Sequence, residues 1–402
     1  MPPKAPEQVS EQTDTAAAKG WEELGFAPWV EPTYRRARPY LLTAAFVLGV
    51  YAVARLILVV SDLFAAHLNY AGNLSGPLLS WDSGSYLRIA QNFYPAHPAV
   101  AHGKLTYSDA GFAPLFPALI RLFMFLALTP LQAAIVVSIV SGAIATLLVW
   151  RLGAALGGEE VGRISAVLFV LFPGMAVVWG LMYSECVGLT LVAGSLLLMV
   201  HKRWVWAGVV AALATATSPL ALPLALPGIV EGLYGIRRRN LAPFASVVMA
   251  PVGFLAYVGY LGIRYHDLLF WWHLQSQAWG ASIDFGQGLF RQLASPLSGG
   301  YVGKGWMEWI GVVLVLMAIG CIYKARLRSP IPIYCLGSFA LSLFSNELGF
   351  KPRMLAWAFP VLIGAAIVTR RRGWQTVAIL FAGILPFVFL LYTMNGNYIV
   401  QP

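Results

Sequence analysis

Two acidic residues of this sequence stand where a carboxylate could do chemistry. Asp82 lies in the run WDSGSYLRIA, in which the residues from Tyr86 onward have the pattern of a short amphipathic helix. Glu185 follows Tyr183 at the junction of two apolar stretches, where a carboxylate is costly and often functional. Asp82 could act as a general base at a membrane surface, with Trp81 and Tyr86 as an aromatic shelf. It could also simply cap the helix, and Glu185 could be a solvated turn residue.

Aromatic and amide side chains cluster farther along the chain. They are Trp271, Trp272, His273, Gln275, Gln277 and Trp279. Such side chains suit sugar hydroxyls and pyranose faces, and tryptophan also suits the aromatic belt of a membrane protein. We expect two of the three tryptophans to lie in the belt and one to contact sugar. No Asp-x-Asp pair, histidine cluster or metal-ligand spacing accompanies Asp82, so the sequence neither implies nor excludes a divalent metal.

The composition indicates what kind of protein must position these residues. The 402 residues (43.7 kDa) are 59% hydrophobic and 11% charged, with a mean hydropathy of +0.71. Because a soluble domain carries roughly 25% charged residues, a soluble enzyme, a disordered chain and a small disulfide scaffold are excluded. The composition predicts an all-α, polytopic integral membrane protein. Its cysteines, Cys186, Cys321 and Cys335, have no metal-ligand spacing and are expected to be core residues.

Apolar stretches of nearly the ~20 residues that span a bilayer predict about 11 transmembrane helices, within a range of about 10 to 13. They lie at about 40–61, 131–150, 163–182, 186–200, 204–217, 220–236, 241–262, 306–323, 330–345, 354–369 and 374–392. The polar residues 1–39 lack the apolar core of a signal peptide. We expect them to form a flexible cytoplasmic tail before a single transmembrane domain, residues 40–402.

The basic residues predict the sidedness. If the N-terminus is cytoplasmic and the segment 112–129 does not span, eighteen of the 27 lysines and arginines lie in the cytoplasm, as the positive-inside rule requires. If this segment spans, the later basic clusters move outside. We therefore expect 112–129 to be an interfacial helix or a re-entrant hairpin, with Arg121 reaching the headgroups. The net charge of +10 is then an orientation signal, and no nucleic-acid partner is expected.

This topology places two long loops, about 62–130 and about 263–305, on the exoplasmic side. Eight acidic residues fall on that side, against three in the inner loops. Chemistry is therefore expected on the outer face of the membrane.

Three short motifs resemble those of a known family. WDSGSY, then APLFP with an arginine four residues later, then YSE at the mouth of a span, resemble the PIG-V-type GPI mannosyltransferase family, whose members include bacterial proteins. That family belongs to the GT-C glycosyltransferases. The resemblance covers about residues 80–190, with weaker similarity near 351–360. It implies a GT-C-like fold with interfacial helices in the large first exoplasmic loop.

The resemblance also implies an activity. Mannose would pass from polyprenyl-phosphate mannose to a hydroxyl of a glycolipid or other acceptor on the outer side of the plasma membrane, with inversion. Asp82 would take the proton from the attacking hydroxyl, a role typically worth 10²–10⁴-fold in rate. The residues expected to contact the substrates are Trp81, Tyr86, Tyr183, Glu185 and His273.

The leaving group in such a reaction is a lipid phosphate, which needs positive charge more than it needs an acid. Lys351 and Arg353 are the best candidates because they precede a predicted span in the region of weaker similarity. Arg264 comes next. Arg55 lies within the first apolar stretch and could pair with an acidic group or the lipid phosphate. Each of these residues could instead anchor the protein to lipid headgroups.

A transporter, or a lipid or glycolipid flippase, is the main alternative, since many spans and an arginine inside one of them would be natural there. Transporters, however, place several ionisable groups near the bilayer midplane, often in repeated halves. This sequence has no internal repeat, and its acidic residues lie at span ends or in outer loops. The pattern therefore favours the enzyme. A GT-C transferase for another lipid-linked sugar, such as arabinose, would use the same core chemistry.

Overall fold

The computed structural model describes residues 27–294 and 302–394, and 74% of it is helical. The predicted helical class is confirmed, with one addition. Within the described ranges a small antiparallel hairpin pairs Val100–Ala101 with Lys104–Leu105. His102 and Gly103 between them both have positive φ (51° and 75°), as a two-residue hairpin turn requires.

The helices of the N-terminal half come first. They are α1 (Ala27–Asn69), α2 (Ser75–Leu78), α3 (Ser83–Asn92), α4 (Leu115–Met124), α5 (Pro130–Gly157), α6 (Glu159–Leu171), α7 (Met175–Gly180), α8 (Glu185–Val200) and α9 (Trp204–Thr215). A 3₁₀ helix at Asp109–Gly111 precedes α4.

The C-terminal half is built in the same way. Its helices are α10 (Ala225–Ile236), α11 (Phe244–Met249), α12 (Val252–Tyr265), α13 (Phe270–Trp279), α14 (Gln287–Ala294), α15 (Val302–Lys324), α16 (Ile331–Leu343), α17 (Pro352–Trp357), α18 (Val361–Thr369) and α19 (Trp374–Met394). A 3₁₀ helix at Pro219–Leu224 leads into α10.

The chain divides into two compact units, residues 1–49 and residues 50–402. In the first unit the structure describes the chain from Ala27 onward, and the residues up to position 39, which we expected in a flexible tail, belong to α1. The rest of the predicted tail, residues 1–26, lies outside the described residues. The second unit contains all the other helices and the candidate site.

Several helices have the properties of membrane spans. Four segments of the described chain are long and apolar enough to cross a membrane: Arg38–Asn69, Pro130–Gly157, Pro219–Ile236 and Phe244–Tyr265. The other predicted stretches also fall on helices, of which α6, α8, α9, α16 and α18 have only 9 to 16 residues. Proline is one reason, because it removes a backbone donor and ends or bends a helix, as Pro173 does between α6 and α7. The predicted count of about 11 spans stays a prediction.

The segment 112–129 forms a helix of ten residues, α4. At 1.5 Å per residue this is about 15 Å, half the ~30 Å of a hydrocarbon core. Arg121 does not point to headgroups as we expected. Its Nη1 donates to the carbonyls of Ala90 (2.9 Å) and Gln91 (3.0 Å), and its guanidinium lies 4.0 Å from the ring centre of Phe93. Arg121 thus satisfies the end of α3, a favourable place for a cation.

Helix α5 packs closely against both α6 and α8 in the larger unit. A Cβ atom added at Gly162 in α6 would lie 2.5 Å from the carbonyl oxygen of Trp150 in α5. Small residues allow such approach where helices pack in a membrane. Glu185, the first residue of α8, is therefore carried by tightly packed helices.

The predicted sidedness can be tested with cysteines at two exposed positions, Lys104 and Arg203. A membrane-impermeant maleimide applied to intact cells should label position 104 and leave position 203 unlabelled, because α4 is too short to cross the bilayer. Permeabilised cells should show labelling at both positions, and the wild-type chain reports the background from its own cysteines. Labelling of both positions in intact cells would mean that the segment 112–129 spans the membrane.

Candidate active site

Asp82 precedes α3 but does not cap it. Its backbone is helical (φ −75°, ψ −12°), and its side chain makes no capping hydrogen bond. A capping side chain normally needs an extended backbone at this position. Trp81 before it has a φ of 59°, a left-handed conformation that is uncommon for bulky residues and clusters at functional sites. The Asp82 carboxylate is therefore available for other contacts, and its side chain is 29% exposed.

Arg353, in the first turn of α17, lies between two carboxylates. Its Nε donates to Oε1 of Glu185 at 2.5 Å, and its Nη1 is 3.9 Å from Oδ2 of Asp82. The Glu185 side chain is only 2% exposed and that of Arg353 only 12%. A buried carboxylate without a partner is strongly destabilising, so Glu185 holds the guanidinium in place. The other Glu185 oxygen, Oε2, is buried and has no hydrogen-bond partner among the described residues.

Tyr183 contacts both Asp82 and Arg353. Its hydroxyl accepts a hydrogen bond from the backbone N–H of Asp82 at 3.1 Å. The guanidinium carbon of Arg353 lies 4.5 Å from the centre of its ring, a cation–π contact. Tyr183 is fully buried, so both contacts are shielded from water.

Tyr86 joins the three motifs of the sequence. Its hydroxyl hydrogen-bonds that of Ser184 at 3.0 Å, and its ring meets Phe112 and Phe116 edge-on at 5.2 Å each. The runs WDSGSY, APLFP and YSE are thus packed against one another, although about 100 residues separate the first from the last. The predicted residues Asp82, Tyr86, Tyr183, Glu185 and Arg353 all belong to this cluster.

A second set of contacts, which the sequence did not predict, reaches the other oxygen of Asp82. The Tyr107 hydroxyl lies 3.5 Å from Oδ1, and it also hydrogen-bonds Ser85 at 2.9 Å. Arg88 contacts Ser85 at 2.9 Å and forms a bidentate pair with Asp109 at 2.7 and 3.0 Å. Ser85 and Arg88 belong to α3, whereas Tyr107 and Asp109 occur in an irregular stretch without periodicity. Asp109 is one of the eight acidic residues that the predicted topology places on the exoplasmic side.

The electrostatics make Asp82 a stronger base than a free aspartate. Burial raises the pKa of the Asp82 carboxyl above its usual range, Arg353 opposes this shift, and the Glu185 carboxylate adds to it. The Tyr107 hydrogen bond and the charge of Lys351 also lower the pKa of Asp82, to a smaller extent. Asp82 therefore combines raised basicity with neighbours that stabilise its ionised form.

The turn that carries Lys351 and Arg353 is held in place by a residue of α15. The buried Glu308 of α15 accepts a hydrogen bond from the backbone N–H of Phe350 at 2.7 Å. Gly349 in this turn has a φ of 60°, and a Cβ atom there would collide with the Glu308 carboxylate. A buried carboxylate and a glycine thus fix the backbone just before the two basic residues.

Arg264 and His273, predicted for phosphate and substrate, have other partners. Arg264 donates to the carbonyls of Tyr94 (2.9 Å) and Pro95 (3.1 and 3.2 Å) and so holds the chain that leaves α3. His273 pairs with Asp267 at 2.7 Å in an exposed position. That hydrogen bond lowers the pKa of Asp267. Both residues organise the segments 62–130 and 263–294 rather than the surroundings of Asp82.

Arg55 is also satisfied within the protein. Its Nη1 donates to the carbonyl of Trp179 and lies 3.4 Å from Oγ of Ser138, and its guanidinium lies 5.9 Å from the ring centre of Tyr51. The acidic partner that we expected is therefore replaced by a carbonyl. Arg55 links α1 to α5 and α7.

The described ranges contain no group of three or more His, Cys, Asp or Glu side chains that could hold a metal ion. The two carboxylates of the site, Asp82 and Glu185, face Arg353. The guanidinium thus supplies the positive charge between them.

Comparison with known proteins identifies the fold. No protein-family model matches the sequence, and no curated protein matches it significantly. The structure is similar to that of ArnT from Cupriavidus metallidurans bound to undecaprenyl phosphate, with a TM-score of 0.57 and 15% identity over 87% of this chain and 77% of that chain. The apo state of the same protein gives a TM-score of 0.54 at 15% identity over 87% and 76%. The chain therefore shares the fold of ArnT and is a multi-pass membrane protein. The PIG-V-type resemblance stays a prediction.

The Arg353–Glu185 pair predicts a large effect on stability. Replacing Arg353 by Met leaves a buried carboxylate unpaired and should lower the free energy of unfolding in detergent by about 3–5 kcal/mol. Adding Glu185→Gln should restore much of this loss, because the buried charge is then removed. Arg88→Met is the matched control, since it breaks a more exposed pair worth about 0–1 kcal/mol. Equal losses in Arg353→Met and Arg88→Met would contradict the importance of the buried pair.

Proposed function

We propose that the protein is a membrane glycosyltransferase that moves mannose from polyprenyl-phosphate mannose to an acceptor hydroxyl on the exoplasmic face of the plasma membrane. One observation carries the proposal. The Asp82 carboxylate makes no capping hydrogen bond, is partly exposed and lies 3.9 Å from the buried Arg353 guanidinium. This is the arrangement that an inverting transfer from a lipid phosphate needs, with a base and a fixed cation side by side.

Asp82 serves as the general base. It accepts the proton of the acceptor hydroxyl as the hydroxyl oxygen forms a bond to the anomeric carbon and the bond from that carbon to the phosphate oxygen breaks. The electron pair of the broken bond leaves with the phosphate. Attack from the face opposite the leaving group inverts the anomeric configuration. The raised pKa of Asp82 supports this role, since a base is most effective when its pKa approaches the working pH.

Arg353 and Lys351 bind the leaving phosphate. A guanidinium held in place before the reaction stabilises developing negative charge without reorganisation. Glu185 takes the Nε donor of Arg353, so the Nη groups are directed towards Asp82. The planar fork of arginine suits phosphate oxygens, and Lys351 adds a second charge.

An apolar cavity supports a lipid-linked donor. It measures about 190 Å³ and is lined by Leu355, two residues after Arg353, and by side chains of α15, α18 and α19 such as Val315, Leu362 and Phe381. Such a lining suits a polyprenyl chain better than a soluble nucleotide. The ArnT structure of similar fold holds undecaprenyl phosphate, which agrees with this class of carrier.

The choice of mannose as the sugar, and of a membrane lipid or glycolipid as the acceptor, rests on the PIG-V-type resemblance. The location of the charges favours an enzyme over a transporter, since Asp82, Glu185 and Arg353 lie at the starts of helices and not in the middle of long ones. A catalytic site at the membrane surface needs this placement.

Asp82→Asn tests the proposal. The variant should insert and fold normally and still bind undecaprenyl phosphate, but its transfer rate from radiolabelled polyprenyl-phosphate mannose should fall by about 10²–10⁴-fold because the base is lost. Asp267→Asn removes a carboxylate of the outer loops that pairs with His273, and it should keep normal transfer. Near-normal transfer by Asp82→Asn would contradict the assignment of the base.

A further inference from the structure

The two oxygens of the Asp82 carboxylate face two different surroundings. Oδ2 is on the side of Arg353, at 3.9 Å, and Oδ1 is on the side of Tyr107, at 3.5 Å. If the leaving phosphate lies beside Arg353, as the proposed function requires, an attacking hydroxyl must come from the other side of the anomeric carbon. The side of Tyr107 is therefore the acceptor side of the site.

The acceptor side is an aromatic surface formed by two outer loops. Tyr107 is 45% exposed, and its ring packs against Trp279 with ring centres 5.2 Å apart. Phe112 lies behind both rings, 5.9 Å from Tyr107 and 6.1 Å from Trp279. Tyr107 and Phe112 come from the first loop, whereas Trp279 is the last residue of α13 in the second loop.

Trp279 is held in this place by specific contacts. Gln277 accepts a hydrogen bond from the backbone N–H of Leu105 at 2.8 Å, and Gln275 donates to the carbonyl of Gly111 at 3.5 Å. Gly111 is needed for the fit, because a Cβ atom at that position would lie 2.6 Å from the indole carbon Cη2 of Trp279. The aromatic surface is therefore a preformed part of the fold.

The chemistry of this surface fits a neutral sugar ring. Aromatic faces match the C–H face of a pyranose or cyclitol, and the hydroxyls of Tyr107 and Ser85 match its polar edge. The nearby charges of Arg88 and Asp109 neutralise each other in a bidentate pair. This pair therefore adds no net charge to the surface beside Tyr107.

The other two tryptophans of α13 have a different environment. Trp271 and Trp272 pack against each other and against Phe254 of α12, and Trp272 is 46% exposed beside the exposed Leu268 and Leu269. This is the pattern of an interfacial belt. Trp279 is thus the tryptophan of this helix that packs on Tyr107, whose hydroxyl lies 3.5 Å from Asp82.

We propose that Tyr107 and Trp279 form the acceptor subsite and that the acceptor is a carbohydrate, a glycan or glycolipid whose ring lies on Tyr107 and Trp279 with one hydroxyl directed at Asp82. This inference rests on the proposed function, which defines the phosphate side of the site. It names the substrate class and adds two positioning residues that lie outside the sequence motifs.

The test measures binding of octyl mannoside, a neutral single-sugar probe, to the full-length protein without donor. Trp279→Ala should weaken binding about tenfold. Gly111→Ala keeps the indole but displaces it, and it should weaken binding similarly. Trp272→Ala, the matched control, should bind like the wild type. Unchanged binding in Trp279→Ala and Gly111→Ala, or no saturable binding by the wild type, would overturn the subsite.

A transfer assay separates this inference from the proposed function. Polyprenyl-phosphate mannose is offered with octyl mannoside or with a threonine-containing peptide, and only the glycoside should become mannosylated. Transfer to the peptide that is insensitive to Trp279→Ala would overturn the carbohydrate subsite and leave the transferase intact. Binding of octyl mannoside that depends on Trp279, without transfer to it, would keep the subsite and overturn the transferase.

Discussion

The buried ion pair between Arg353 and Glu185 is the interaction on which the candidate site depends. The two residues are 168 positions apart, and they join the start of α8 to the start of α17 at 2.5 Å. A buried carboxylate must keep a partner, so this pair fixes both helix starts relative to each other. The same guanidinium then lies 3.9 Å from Asp82, and its charge stabilises the ionised form of that residue.

The backbone around Asp82 completes this arrangement. The left-handed Trp81 and the helical angles of Asp82 turn its side chain away from the end of α3, where most aspartates would cap. The Tyr183 hydroxyl accepts a hydrogen bond from the backbone N–H of Asp82 and so ties this backbone to the segment that precedes α8. Helix α3 lacks the stabilisation that a capping side chain would give. In return, the Asp82 carboxylate remains available to accept a proton.

Part of this could be predicted from the sequence. The hydropathy pattern predicted a helical membrane protein. The resemblance of three motifs to the PIG-V-type family, together with charges at the ends of apolar stretches, grouped Asp82, Glu185 and Arg353 in one site. Charge at a span end is informative because burial there must be compensated. The same reasoning failed to find the partners of Arg264 and Arg55, since backbone carbonyls satisfy an arginine as well as a carboxylate does, and carbonyls leave no mark in a sequence.

Other features depended on tertiary contacts between irregular segments. Tyr107 and Trp279 come from two loops that are far apart in the sequence. Gln277 of the second loop hydrogen-bonds Leu105 of the first, 172 residues away, and neither loop has a periodicity that predicts the contact. Asp82 does not cap α3 because of its backbone angles, which the residue type alone does not determine. The contact of Arg121 with the end of α3 likewise depends on how α4 folds back.

The pH dependence of a single turnover, with saturating donor and acceptor, tests most directly whether Asp82 is the base. A base must be ionised, so the rate should fall as the pH drops through the pKa of Asp82. Tyr107→Phe keeps the aromatic ring but removes a hydrogen bond that lowers this pKa, so the acid limb should move to higher pH. A rate that does not fall at acid pH, or an acid limb that stays in place in Tyr107→Phe, would contradict the account of Asp82 as a base tuned by its neighbours.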